Sequence, residues 1–194
     1  MKALEEKIRR EGRILPGDVV KVDSFLNHRI DVAFTDRMAE AFYDRFKDKR
    51  ITQVMTIEAS GIAIAAATAR YFGVPVLFAK KTSSNNIGDE LYHSSVYSYT
   101  REHTYEITVS RNYLNEHDTV LLIDDFLAKG NALRGMIDLC EQAGAEVAGI
   151  GICVEKGFQG GGDALRREGY DLLSLAVIDR MDEDGKIVFR AENA

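Results

Sequence analysis

Apolar and polar residues follow two periods along this chain. Residues 3–11 set Leu4 and Ile8 one helical turn apart among charges, and Gly12 closes the segment, which reads as a helix. A short extended piece is expected over residues 18–22. Residues 31–47 place Val32, Met38, Ala39, Phe42 and Phe46 at helical spacing, with acids early and a lysine late to suit the helix dipole. From Ile51 the texture becomes strand, helix, strand: ITQVMTI, a turn at EASG, a small-residue helix over residues 62–72, then VPVLFAK. A βαβ unit of this kind is right-handed and implies a parallel sheet.

Residues 82–117 break that rhythm. Polar turn chemistry in TSSNNIGDE leads into LYHSSVYSYT and TYEITVS, two antiparallel strands inserted beside the parallel sheet, and such insertions often cover a site. The alternation resumes with DTVLLID, a loop at DFLAKG, a helix over residues 131–143 and the strand EVAGIGICVE. A Gly-rich turn, a short helix over residues 163–167, the strand LLSLAVID and a last hairpin around DEDG follow. The expected fold is α/β, a central parallel sheet flanked by helices, with ligands at the carboxyl ends of the strands.

Composition narrows the class. The 194 residues suit one domain over residues 1–194, and 45% hydrophobic with 29% charged residues indicates a globular chain. The formal charge of -6 argues against broad phosphate neutralisation on nucleic acid, yet one local cluster of positive charge and N–H groups can still hold a phosphate. Cys140 and Cys153 have no partner at metal-ligand spacing and read as reduced, buried thiols. The N-terminal residues form an amphipathic pattern without the apolar stretch of a signal peptide. The longest apolar run, residues 62–69, is too short to cross a bilayer. A cytoplasmic location with no membrane partner is expected.

The chemistry is concentrated in VLLIDDFLAKGNA at residues 120–132. Four apolar residues suit a strand buried on both faces, and Asp124 and Asp125 are expected where it ends. Adjacent strand side chains point oppositely, so the two carboxylates can address different parts of one ligand. Ala128, Lys129, Gly130, Asn131 and Ala132 then form a small-residue turn into a helix, whose free N–H groups favour a phosphate. Taken alone, the acid pair reads equally well as a loop start with an N-cap. No GxxxxGK[ST] loop occurs, and GIGICV lacks the third glycine of a dinucleotide fingerprint.

As a whole, this stretch resembles the phosphoribosyl pyrophosphate (PRPP) signature of the type I phosphoribosyltransferases. TIEASGI at 56–62 is similar to that family's pyrophosphate loop, FAKK at 78–81 to its basic strand, and SSVYSYT at 94–100 to its mobile flap. VDSFLNHRID at 22–31 and GIGICVEKGFQ at 149–159 extend the resemblance over the whole chain, most closely to the bacterial xanthine branch. The resemblance implies a small hood over the sheet, transfer of a 5-phosphoribosyl group from PRPP to xanthine, magnesium carried with PRPP, and a homodimer. It implies that residues 128–132 wrap the 5-phosphate and that Asp124 and Asp125 face the ribose hydroxyls and the magnesium shell. It further implies that Ala59, Ser60 and Gly61 meet pyrophosphate and that Val20, Asn27 and Lys156 line the purine. Lys129 and Ala132 stand where many members have Thr or Ser, and Val20 where the xanthine branch commonly has Leu.

The mechanism expected from these residues is electrostatic. Breaking the C1–O bond builds oxocarbenium character, which needs placed charge more than a protein nucleophile. Magnesium prefers six oxygens and would be held chiefly by pyrophosphate, ribose hydroxyls and water, so no direct protein ligand is assigned. The leaving group can be met by the N–H groups of residues 59–61 and by Lys80 or Lys81, which read equally as solvated lysines; close approach there would favour unusual backbone geometry. Lys156 only donates, which suits a 6-oxo purine, whereas an Asn27 amide that can flip does not decide the 2-position. Phe126 reads as a base-stacking or a packing residue. Tyr97 and Tyr99 read as flap closers or as exposed strand aromatics. Guanine or hypoxanthine transfer stays open on the same scaffold, as does a purine-responsive regulator, although residues 1–50 are short for an added DNA-binding domain.

Overall fold

The computed structural model describes residues 1–15, 17–81, 90–98, 103–181 and 186–191. Helix α1 (Lys2–Glu11) leads into a two-stranded antiparallel ribbon, β1 (Arg13–Leu15) with β2 (Val19–Lys21), and a π-helical turn (Asp23–Asn27). Helix α2 (Val32–Phe46) follows, N-capped by Asp31, whose carboxylate accepts from the Phe34 N–H at 3.1 Å. The rest of the chain supplies β3 (Gln53–Ile57), α3 (Ile62–Phe72), β4 (Val76–Ala79), β5 (Leu91–Ser98), β6 (His103–Ser110), β7 (Thr119–Leu127), α4 (Asn131–Ala143), β8 (Glu146–Lys156), α5 (Gly161–Arg167), β9 (Leu172–Met181) and β10 (Ile187–Phe189).

Six strands make the central sheet in the order β10-β9-β8-β7-β3-β4. All its pairings are parallel except that of β10 with β9. Alternation along β7 divides the core. Leu121 and Ile123 pack with Phe42, Phe46 and Ile64 from α2 and α3, while Val120 and Leu122 pack with Met136 and Cys140 from α4. The two glycines of GIGICV are packing positions: a Cβ on Gly149 would lie 2.5 Å from the Phe46 ring, and one on Gly151 2.8 Å from that of Phe42. Helix α2 can therefore lie close against β8. Both cysteines are free and buried, and burial pushes the Cys140 thiol up to about 12.

Three expectations are refined. The extended piece at 18–22 is one half of a ribbon whose other half, β1, is too short to show a period. Strand β7 does not end at the acids but runs on to Leu127 along β8. The inserted strands β5 and β6 form a separate ribbon, tied to the sheet side by the isolated bridge between Lys80 and Thr108. This ribbon packs on α4, where a Cβ on Gly135 would come 2.5 Å from Val96. The turn chemistry of residues 82–89, Tyr99 and the DEDG turn lie outside the described residues. No helix among the described residues is long and apolar enough to cross a membrane.

Candidate active site

The chain turns back on itself between β3 and β7: β4 lies beyond β3 on one side, while β8 and β9 extend the sheet on the other. A crevice at the carboxyl ends of strands is expected at such a reversal. Pairing of β3 with β7 stops at Met55 and Leu122, whereas β7 stays paired with β8 as far as Leu127 and Glu155. The strands thus part just before Asp124 and Asp125, which stand on the wall of the gap and are 5% and 7% exposed.

The two acids serve opposite sides of this gap. Asp124 Oδ1 accepts from the Asp125 N–H at 2.9 Å and faces the 58–61 loop, 3.0 Å from the point a Cβ on Gly61 would occupy. Thr56 Oγ1 lies 2.0 Å from that same point and has no hydrogen-bond partner. Only glycine fits at position 61 without displacing the acid or the hydroxyl. Asp125 Oδ2 accepts from Asn27 Nδ2 at 3.1 Å, which joins the acid pair to the hood, the small unit made by the β1–β2 ribbon and the π-helical turn Asp23–Asn27. Because a carboxylate oxygen can only accept, this contact settles the orientation of the Asn27 amide. Burial, and then the negative charge of Asp125, hold the Asp124 carboxyl well above the usual range; Lys81 offsets part of this.

Between Glu58 and Ala59 the peptide is cis, the unusual geometry expected of this loop. Glu58 Oε1 accepts from the Lys81 N–H at 2.6 Å, so this loop acid ties the 58–61 loop to the end of β4. Lys80 makes its backbone bridge to Thr108, and the Lys81 ammonium lies 5.7 Å from the centre of the Tyr105 ring.

On the far side of the acids, β7 ends in the 128–132 loop. Gly130 takes φ +88° and N-caps α4 without a side-chain hydrogen bond, so no side chain competes with a ligand for the first amides. Asn131 Nδ2 donates to the Tyr97 carbonyl at 2.8 Å, linking this loop to the ribbon on α4.

A model of the phosphoribosyl transferase domain matches residues 22–167. The chain belongs to the phosphoribosyltransferase family. It is 57% identical over 98% of its length to the whole of a xanthine phosphoribosyltransferase of Bifidobacterium adolescentis. It is 52% identical over 97% of its length to 99% of one from Ruminiclostridium cellulolyticum. The fold is shared with the crystal structure of adenine phosphoribosyltransferase from Thermoanaerobacter pseudethanolicus, at TM-score 0.70 and 22% identity, covering 90% of this chain and 98% of that one.

In this member of the family, Lys156 closes β8 and reaches back to the hood, donating to the Asp18 carbonyl at 2.8 Å. Burial pulls its ammonium below the usual lysine range, and two N–H donors are left for a ligand. A cavity of about 590 Å³ lies between Gly17 and Val19 of the hood, Phe126, the 128–132 loop, Tyr97 and Lys156. Phe126 both packs on the core and lines this cavity, so its two readings meet in one residue. Val20 is packed in the core at 7% exposure, and its strand neighbour Val19 faces the cavity. The structure therefore brings Asn27, Asp124, Asp125 and the 59–61 loop to one gap, and Lys156 and residues 128–132 to the adjoining cavity, with Val20 behind the wall.

Two groups escaped the sequence. The Gly17–Asp18 turn, with φ values of 81° and 61°, carries the carbonyl that fixes Lys156; the PGD turn signal was there to be read. Thr56 carries no motif, and only the close approach of Gly61 reveals its hydroxyl.

Proposed function

We propose that the chain transfers the 5-phosphoribosyl group of PRPP to N9 of xanthine, giving xanthosine 5'-monophosphate and pyrophosphate in purine salvage. The observation that carries this is the buried acid pair in the gap between β3 and β7, with one acid turned to the 58–61 loop and the other to Asn27. Cleavage of the C1–O bond leaves positive character on the ribose, which the negative field of the acid pair favours in a water-poor gap once bound substrate has displaced the proton that burial holds on Asp124. The departing pyrophosphate meets N–H groups of the 59–61 loop and the charge of Lys81. The start of α4, whose glycine cap brings no side-chain hydrogen bond, receives the 5-phosphate, and Lys156 donates to the 6-oxo group of the base. Asn27, oriented by Asp125, takes the other edge, so base and ribose are sensed through one hydrogen bond.

Magnesium fits this site as an ion shared with the substrate. Among the described residues no cluster of three or more His, Cys, Asp or Glu could hold it alone, but two buried carboxylates supply hard oxygen donors to its hydration shell. When bound, it neutralises pyrophosphate charge; Asp124 and Asp125 are the residues that would hold it beside the ribose. We also place the active form in the cytoplasm as a homodimer of one-domain subunits, which light scattering tests.

The deciding experiment offers xanthine, guanine, hypoxanthine and adenine together with PRPP and magnesium and identifies the nucleotide formed. Xanthosine monophosphate as the main product supports the reading. Guanosine or inosine monophosphate moves the specificity on the same scaffold, and no product from any base, with a purine-dependent change in DNA binding, transfers the chain to the regulators.

A further inference from the structure

The reaction as proposed makes no use of the most deeply buried charged side chain among the described residues. Glu155, the residue before Lys156, has a fully buried side chain. Its two oxygens accept from Arg166 of α5 at 3.0 and 2.7 Å, and one also accepts from the Ser174 hydroxyl. Its carboxylate lies directly under the first turn of α5: a Cβ on Gly162 would come 2.1 Å from Glu155 Oε1. The same turn presses on the phosphate loop. The Gly161 N–H donates to the Ala128 carbonyl at 3.2 Å, and a Cβ on Gly161 would come 2.3 Å from that oxygen and 2.6 Å from the carbonyl carbon of Lys129.

We infer that Glu155, Arg166 and Gly161 are positioning residues that set the 128–132 loop for the 5-phosphate. The inference rests on the assignment of that loop to phosphate. In a trans peptide the carbonyl and the following N–H point in opposite directions. Drawing the Ala128 carbonyl toward α5 therefore turns the Lys129 N–H away from α5. The chain of contact runs from the Glu155 carboxylate through the bidentate Arg166 fork to α5, and from the bare Cα of Gly161 to the loop backbone. A bidentate pair on a buried carboxylate is stiff, because the planar guanidinium fixes distance and direction together. Glu155 also adjoins Lys156, so the support under the phosphate loop and the base-facing lysine share the end of one strand.

The test measures binding of ribose 5-phosphate and of pyrophosphate to the full chain by calorimetry, for wild type, Gly161→Ala and Arg166→Met, well below their melting temperatures. Both variants are expected to weaken ribose 5-phosphate about tenfold or more, with pyrophosphate changed by less than roughly threefold, since displacement by a fraction of an ångström acts on one loop alone. A role in stability alone would lower the melting temperature and leave both affinities untouched, which overturns the inference. If Arg166→Met does not fold, Gly161→Ala still decides, because it displaces the loop and leaves the ion pair in place. The double variant should lose less than the product of the single losses, as expected when two changes act through one contact; full multiplicativity would contradict a shared chain. Wild type that binds ribose 5-phosphate but turns over no base sinks the proposed reaction and leaves this inference standing. Wild type that binds no ribose 5-phosphate sinks the inference itself.

Discussion

Glu155 and Asp124 are buried carboxylates on adjacent strands, β8 and β7, and the fold treats them in opposite ways. Glu155 is given a guanidinium fork and a hydroxyl. Asp124 is given one backbone N–H, a second acid beside it and, across the gap, a threonine hydroxyl that has no partner. A buried charge with its partners in place stiffens its surroundings. One without them is kept only at a cost in stability, and the groups that would relieve it are hydroxyls and a cation. Ribose and its magnesium supply those groups, so the difference separates a supporting carboxylate from one that waits for substrate.

The largest loss is expected at the acid turned to the hood. Asp125→Asn should keep the fold while kcat/KM for xanthine falls about 10³-fold, the size expected for losing a preorganised charge at the developing cation. Pyrophosphate release checks this, and activity within about tenfold of wild type would remove the acid pair from the mechanism. On the supporting side, Arg166→Met strands the Glu155 charge and should cost about 3 kcal/mol, the lower end for a broken buried pair because Arg166 keeps some exposure. At roughly 2–4 °C per kcal/mol for a chain of this size, thermal unfolding registers it clearly.

Asp124→Asn should do the reverse. The folded Asp124 carboxyl titrates well above its ordinary value of 3.8, so the folded chain holds a proton there that the unfolded chain has released. Stability contributed by that proton is present below the ordinary value and is lost as pH rises toward and through the folded one. The asparagine, which carries no such proton, should therefore gain over wild type as pH rises from the aspartate range to neutrality. Urea unfolding at several pH values reads this directly, and a gain that grows on acidification would contradict it. The smallest effect belongs to Thr56→Val. Removing a hydroxyl that bonds to nothing in the free protein should change stability by less than about 1 kcal/mol, while weakening PRPP binding. A large loss of stability would show that the hydroxyl has a partner in the fold.

Much of this frame was legible before folding. Helices α3 and α4 match the residues expected because apolar spacing runs from one glycine boundary to the next, at Gly61 and Gly73 and at Gly130 and Gly144. The acid pair and the 128–132 turn were legible because a strand end and a helix start lie within one short stretch. What stayed hidden depends on pairing between distant segments. Charges at Asp124 and Asp125 look like a strand end, yet β7 continues because β8 pairs with it on one side after β3 has left the other. Glu155 and Arg166 meet only because a tight turn at Gly157–Gln159 folds α5 back over the end of β8. Val19 and Val20 differ in role through one step of alternation in a three-residue strand, too short for a period.

The most direct test sets the two carboxylates side by side: equilibrium unfolding of wild type, Asp124→Asn and Glu155→Gln at pH 7 without ligand. Asp124→Asn is predicted to be more stable than wild type and Glu155→Gln less stable. Destabilisation by both substitutions would show that Asp124, like Glu155, is held by the fold for its own support and does not wait for substrate.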